Sequence, residues 1–107
     1  MAIMAISIAP TGLEGTSLSR SVSKAIAVLE GDNRVKWELG SMFTTVEGEL
    51  PVLFEIAQKM HEAMAEDGAP RIGSVIKIDD RRDRVAHMQD KVEAVKRHLA
   101  SALGERS

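Results

Sequence analysis

The 107-residue chain has no cysteine, no tyrosine and only three aromatic residues, which are Trp37, Phe43 and Phe54. The absence of cysteine excludes disulfide frameworks, thiolate zinc sites, iron–sulfur clusters and thiol nucleophiles. The shortage of aromatic side chains disfavours a protein that binds single-stranded RNA by stacking bases on a sheet. A chain of this length can bury a hydrophobic core without disulfides or a structural metal, and we expect one domain spanning residues 1–107.

The chain also lacks an excess of basic charge and a long apolar run. Its 14 basic and 16 acidic residues give a net charge of −2, so no overall positive field attracts a polyphosphate backbone and we expect no nucleic-acid partner. No apolar run approaches the about 18 residues needed to span a bilayer. The apolar opening, residues 1–9, lacks the basic flank and cleavage site of a signal peptide. We therefore expect a cytoplasmic protein without a membrane partner.

The apolar opening has the period of a β-strand. Large residues alternate there with small ones: Met4, Ile6 and Ile8 with Ala5, Ser7 and Ala9. A two-residue period predicts a strand with one face of large side chains and one face of small ones. The small face leaves room for something to lie against it. Pro10 and Gly12 predict the end of this strand.

The remaining elements follow from hydrophobic spacing and from glycine and proline punctuation. Residues 17–21 offer N-caps for a first helix. Strands at 35–39 and 42–47 form a predicted hairpin with its turn at Gly40 and Ser41, and residues 71–78 form a fourth strand. The apolar stripes of the three predicted helices are Val22, Ala25, Ile26 and Leu29; Leu53, Ile56, Ala57, Met60 and Met64, after Pro51; and Met88, Val92, Val95, Leu99 and Leu103.

The order of these elements is β-α-β-β-α-β with an additional C-terminal helix. This order predicts an α+β protein with the ferredoxin-like arrangement. Right-handed crossovers place both main helices on one face of a four-stranded antiparallel sheet, whose central strands are the first and the third. The other sheet face is left open. Such a face normally acquires a partner, which is another subunit, a ligand or both.

No catalytic or metal-binding constellation is visible in the sequence. His61 and Glu62 resemble the start of a helical zinc-protease motif, but Ala65 stands where the second histidine belongs. The other histidines, His87 and His98, are dispersed. There is no glycine-rich phosphate loop and no nucleophile elbow. We therefore expect no catalytic residue, no metal site and no cofactor.

Two polar clusters remain as candidate sites, and the first is the segment 42–48. There a predicted strand ends in Glu47, directly before a glycine and a helix. A buried Glu47 would require a hydrogen-bond donor or a cation. Alternatively, Glu47 and Glu49 favour the N-terminus of the following helix electrostatically. Ser21 and Ser23, at the start of the first helix, are caps in one interpretation and ligand contacts in another.

The second cluster is a run of alternating charges at residues 79–83. Such runs are usually solvated loops with weak ion pairs, but they also clamp subunits together. We assign Asp79, Asp80, Arg81 and Arg82 to a subunit interface or to the end of the fourth strand in preference to a ligand site.

Three segments together resemble a known family. They are Ser21-Val22-Ser23, residues 37–49 with Trp37, Met42, Thr44 and the Glu47-Gly48-Glu49 triplet, and the charged run with its preceding strand, residues 76–83. On these segments the sequence resembles the small thiamine-binding proteins, which are relatives of bacterial thiamine/hydroxymethylpyrimidine-binding proteins, over most of its length. The resemblance implies a ferredoxin-like fold, a homodimer or homotetramer, and thiamine or its hydroxymethylpyrimidine portion as a ligand without catalysis.

The resemblance and the chemistry of thiamine together suggest roles for single residues. Glu47 would accept a hydrogen bond from the aminopyrimidine, hydroxyls would come from Ser21, Ser23 and Thr44, and Met42 and Phe43 would form the walls. Two alternatives stay open. One is a structural or regulatory oligomer that uses its sheet face only for assembly, and the other is an enzyme with Glu47 or Asp79 as a general base.

Overall fold

A computed structural model describes residues 1–11, 18–85 and 87–105. The elements are β1 (Ala2–Thr11), α1 (Leu18–Glu30), β2 (Lys36–Glu38), β3 (Thr44–Gly48), α2 (Leu50–Glu66), β4 (Arg71–Asp80) and α3 (Met88–Glu105). The four strands form an antiparallel sheet in the order β2-β3-β1-β4. This is the predicted ferredoxin-like topology with β1 and β3 at the centre. The predicted turn at Gly12 and the cap at Ser17 lie outside the described residues.

The predicted two faces of β1 are confirmed. Met4, Ile6 and Ile8 are buried on the side of α1 and α2, while Ala5 and Ser7 lie on the opposite side and are only partly covered. The strand continues beyond the predicted end at Pro10 as far as Thr11. Proline is tolerated there because β1 has no β3 neighbour after Ile6 and pairs only with β4.

The helices α1 and α2 cover one face of the sheet and complete the core. All five residues of the predicted α2 stripe are buried, and so are Ala25 and Leu29 of α1. Pro51 lies in the first turn of α2, as predicted. The chain leaves this helix through Gly68, whose φ of 99° is a conformation that side chains disfavour.

The helix α3 differs from the other two. It begins at Met88, as predicted, but its side chains from position 95 to 104 are all exposed, and Val95 is 67% accessible. The Cα radius of gyration is 16.7 Å, above the about 13 Å of a compact domain of this length. The apolar stripe of α3 therefore projects beyond the core. None of the helices in the described ranges is both long and apolar enough to cross a membrane.

The hairpin has shorter strands than predicted. Strand β3 begins at Thr44, so Met42 and Phe43 lie in the loop, whereas the sequence pattern predicted a strand from residue 42. The loop is tight because the backbone of Gly40 approaches that of Phe43. A Cβ atom added to Gly40 would lie 2.2 Å from the carbonyl oxygen of Phe43. Strand β4 is longer than predicted, because Asp80 still pairs with Ala2.

We expect Gly40→Ala to destabilise the protein by about 1–3 kcal/mol, because the added methyl group must displace backbone atoms. The matched control is Gly73→Ala in β4, where an added Cβ atom meets no heavy atom within 4 Å. This control should be neutral or slightly stabilising, since glycine weakens strands. Urea unfolding of both variants at one protein concentration measures the difference. Equal stabilities would contradict the close approach in the hairpin.

Candidate functional site

The sheet face opposite α1 and α2 has two rows of mostly polar side chains. Residue pairing aligns Lys36, Glu47, Ile3 and Asp79 in one row and Glu38, Thr45, Ala5 and Lys77 in the next. Directly paired residues in a sheet share a face, and the neighbouring row of Met4 and Val46 is buried on the helix side. The open face therefore has Ile3 and Ala5 on β1, and charged or polar side chains on the strands to either side of β1.

The first turns of α3 lie against this face and partly cover an open cavity of about 300 Å³, which we call the sheet cavity. It is lined by Ile3, Ala5, Glu38, Thr45, Lys77, Asp79, Met88, Lys91 and Val92. Its volume is at the lower end of the about 300–1,000 Å³ typical of ligand pockets. The sheet supplies most of its polar groups, and α3 supplies Met88, Val92 and one lysine. The cavity can therefore offer apolar walls together with carboxylate, ammonium and hydroxyl groups.

Glu47 fastens the start of α3 to the sheet. Its side chain is 5% exposed, and its Oε2 accepts a hydrogen bond of 2.9 Å from the backbone N–H of Met88. The Nδ1 atom of His87 lies 3.3 Å from the same oxygen. The Met88 N–H supplies the donor that a buried Glu47 requires. This hydrogen bond also joins Glu47 to the N-terminus of α3, whereas Glu49, at the N-cap of α2, makes no side-chain capping bond.

Asp79 makes a second fastening on the other side of Ile3. The ammonium group of Lys91 donates a hydrogen bond to Asp79 Oδ2. This hydrogen bond and the positive charge of Lys91 lower the pKa of the Asp79 carboxyl below its ordinary value of 3.8. Glu47 and Asp79 pair with the two sides of Ile3. Two carboxylates in one row of the sheet therefore fix the first turns of α3.

A second cavity lies at the hairpin, on the helix side of the sheet. This hairpin cavity has a volume of about 220 Å³ and is lined by Ile6, Ser7, Ile8, Val22, Ile26, Leu39, Gly40, Ser41, Met42, Thr44 and Met60. It brings together Met42 and Thr44 from the predicted ligand site. Its lining includes no charged side chain.

The structure does not bring the other predicted ligand residues to this cavity. Ser21 is buried and its hydroxyl lies 3.3 Å from Asp67 Oδ2, while Ser23 is exposed and donates to the backbone oxygen of Arg20 at 2.6 Å. Phe43 is partly exposed in the hairpin loop and lines neither cavity.

Thr44 and Glu47 lie on opposite faces of the sheet. They lie three positions apart along β3, and residues an odd number of positions apart in a strand direct their side chains to opposite faces. Thr44 pairs with Ile6 on the helix side, and Glu47 pairs with Ile3 on the open side. The two residues therefore cannot line one cavity within a single chain.

The four residues predicted at an interface divide into two groups. Asp79 faces the sheet cavity, whereas the others form local ion pairs at the end of β4. Arg82 Nε lies 2.8 Å from Asp80 Oδ2, and Arg81 Nε lies 2.7 Å from Asp83 Oδ1. These two local ion pairs leave the interface assignment of Asp79, Asp80, Arg81 and Arg82 a prediction.

Several residues of the sheet cavity were missed by the sequence reasoning. Glu38, Thr45, Lys77 and Lys91 were not assigned to a site, although Glu38 and Lys77 each lie between two apolar residues and Thr45 lies between two buried ones. Period-two alternation therefore contained a signal for Glu38, Thr45 and Lys77. Across residues 1–11, 18–85 and 87–105, no group of three or more His, Asp or Glu side chains is arranged to hold a metal ion.

Comparison with known proteins decides the family. The family model described as "Thiamine-binding protein" matches residues 4–96. The chain belongs to the thiamine-binding protein family. The chain is similar to the UPF0045 protein YqgV of Bacillus subtilis. The two are 40% identical over 102 residues, which cover 92% of this chain and 98% of the relative. A UPF0045 protein of Methanothermobacter thermautotrophicus is 39% identical over 88% of this chain and 95% of its own.

Solved structures have the same fold as this thiamine-binding protein family member. MJ1052 of Methanocaldococcus jannaschii has a TM-score of 0.79 and 30% identity, covering 89% of this chain and 95% of its own. A Thermotoga maritima protein provisionally assigned to thiamine biosynthesis or salvage has a TM-score of 0.74, covering 88% and 97% of the two chains. At 23% identity, this second likeness supports the fold alone.

We expect Glu47→Ala to destabilise the protein by about 1–3 kcal/mol, because it leaves the N–H of Met88 without its charged acceptor. The amide hydrogen of Met88 should also exchange faster with solvent. Hydrogen exchange and urea unfolding test both effects. The control is Glu49→Ala, which removes an exposed carboxylate two residues away; it should cost at most about 1 kcal/mol through the N-terminus of α2 and leave the exchange of the Met88 amide unchanged. Unchanged protection of Met88 in Glu47→Ala would contradict the fastening.

Proposed function

We propose that the protein is a non-enzymatic, cytoplasmic binding protein for thiamine or its hydroxymethylpyrimidine portion, and that it acts as a homo-oligomer. The family match over residues 4–96 supports a thiamine-related role. The observation that carries the proposal is the sheet cavity, which combines apolar walls with carboxylates and a hydroxyl. The proposal involves no catalytic step, metal or cofactor.

The chemistry of the sheet cavity suits thiamine. The thiazolium ring of thiamine is a cation, and its aminopyrimidine ring has hydrogen-bond donors and acceptors. Glu38 and Asp79 provide carboxylates for the cation and for the amino group, and Thr45 provides a hydroxyl. Ile3 and the polarisable thioether of Met88 provide surfaces for flat rings.

The hairpin cavity, with Met42 and Thr44, is the rival location for the same ligand. Two arguments favour the sheet cavity. The hairpin cavity is lined without a carboxylate, and Glu47, which the family resemblance suggested as the ligand's acceptor, faces the other side of the sheet and already accepts from Met88. In this proposal Glu47 supports the site by fixing α3, and the direct contacts come from Glu38, Thr45 and Asp79.

Adjacent threonines of β3 separate the two locations. We expect Thr45→Val to weaken thiamine binding about fivefold, because a hydrogen bond worth about 1 kcal/mol is lost with little change of shape. Thr44→Val should leave the affinity unchanged. Calorimetric titration with thiamine and with hydroxymethylpyrimidine measures both. The reverse result would move the ligand to the hairpin cavity, and the absence of any heat at millimolar ligand would overturn the proposed function.

The exposed stripe of α3 supports the oligomeric part of the proposal. Val92, Val95, Leu99 and Leu103 lie on one side of the helix and are each at least 44% exposed. A continuous apolar stripe on a projecting helix is typical of a surface that packs against another helix. We propose that the helix that packs against this stripe belongs to a second copy of this chain.

We expect Leu99→Glu to reduce the oligomer to a smaller species, because it places a charge in the stripe. The control is Ala100→Glu, which adds the same charge at the adjacent exposed position outside the stripe and should leave the assembly unchanged. Sedimentation velocity at several protein concentrations measures the assembly state. Identical behaviour of Leu99→Glu and the unmodified protein would contradict assembly through α3.

A structural or regulatory oligomer without a small-molecule ligand is the second candidate function. The α3 stripe favours it equally, since assembly alone would cover this surface. The two candidates differ in the titration, because the second predicts an oligomer that gives no heat with thiamine or hydroxymethylpyrimidine.

A further inference from the structure

We propose that Lys91 is an internal counter-cation of the sheet cavity. Its ammonium group pairs with the Asp79 carboxylate until a cationic ligand displaces it. The proposal rests on the proposed function and deepens it, since it names the residue that sets the preference for a charged over a neutral ligand. The ligand class is a heteroaromatic cation of the size of thiamine.

The ion pair between Lys91 and Asp79 lies at the sheet cavity itself. Lys91 lies one helical turn after Met88, and its ammonium group donates a hydrogen bond to Asp79. Both residues line the cavity together with Ile3 and Val92. A cation that enters the cavity therefore meets a carboxylate that already has a cationic partner.

The ion pair between Lys91 and Asp79 is exposed to solvent. The side chains of Lys91 and Asp79 are 59% and 46% exposed, and ion pairs with this exposure are weak because water competes for both charges. Glu47, on the other side of Ile3, is 5% exposed and holds a backbone N–H. Of the two carboxylates that fasten α3, Asp79 is therefore the exchangeable one.

The exchange balances charge without a chemical step. The ligand's cation takes the place of the Lys91 ammonium beside Asp79, and the long side chain of Lys91 turns into solvent. Glu47 still holds Met88, so α3 remains attached. A neutral ligand gains nothing from displacing Lys91, and the cavity thereby discriminates in favour of a cation.

Lys77 provides the matched comparison. It lines the same cavity and carries the same charge. In the described part of the chain, the ion pair of Asp79 is with Lys91, and Lys77 has no carboxylate within 4.0 Å. A general effect of positive charge would make the two lysines equivalent, whereas an internal counter-cation makes Lys91 distinct.

The test titrates thiamine and hydroxymethylpyrimidine, which lacks the thiazolium, into four proteins at low salt. Lys91→Gln should bind thiamine about two- to fivefold more tightly than the unmodified protein, which is the range expected for releasing an exposed ion pair. Its affinity for hydroxymethylpyrimidine should be unchanged. Lys77→Gln should show a smaller gain for thiamine, and Lys91→Arg, which keeps the cation, should resemble the unmodified protein. Gln and Lys have similar helix propensities, so α3 should be preserved.

A second measurement needs no ligand. NMR titration of the Asp79 carboxyl should give a pKa that rises toward 3.8 in Lys91→Gln and stays low in Lys77→Gln. Equal gains in thiamine affinity for both glutamine variants, no gain for Lys91→Gln, or an unchanged Asp79 pKa would overturn the proposal while leaving the proposed function in place. Failure of all four proteins to bind either compound would overturn the proposed function and this inference together.

Discussion

The alternation of side chains along β1 and β3 is the constraint on which the rest of the molecule depends. On one side, Met4, Ile6 and Val46 are buried beneath α1 and α2 and form the centre of the core. On the other side, small and polar residues leave space that α3 only partly covers. Because a strand directs successive side chains to opposite faces, the residues that stabilise the fold and the residues that line the sheet cavity are interleaved in the same two strands.

The attachment of α3 follows from this arrangement. Glu47 and Asp79 lie on either side of Ile3 and contact the beginning of the helix through Met88 and Lys91. Their environments differ, since one carboxylate is buried and bonded to the backbone and the other is half exposed and bonded to a lysine. Burial makes the first contact costly to break and exposure makes the second easy to exchange. One helix can thus be both fixed in place and responsive at the cavity.

Local patterns predicted the elements well, and the site much less well. The α2 stripe from Leu53 to Met64 is buried as predicted because a 3.6-residue period specifies a helix face within the helix itself. The start of β3 was placed two residues too early because the close approach of Gly40 to Phe43 ends the strand pairing. The polar cluster around Glu47 was located, but its partners were not, since Met88 is 41 residues away along the chain.

The sequence by itself determined the element order and the two faces of the first strand, because these depend on spacing between near neighbours, and the element order with right-handed crossovers then predicted the ferredoxin-like topology. Only the tertiary structure decided that Glu47 holds α3 and that Lys91 reaches Asp79. Those contacts depend on the register of the strands and on the path of α3. Register and path are set by packing between distant segments, which no local period records.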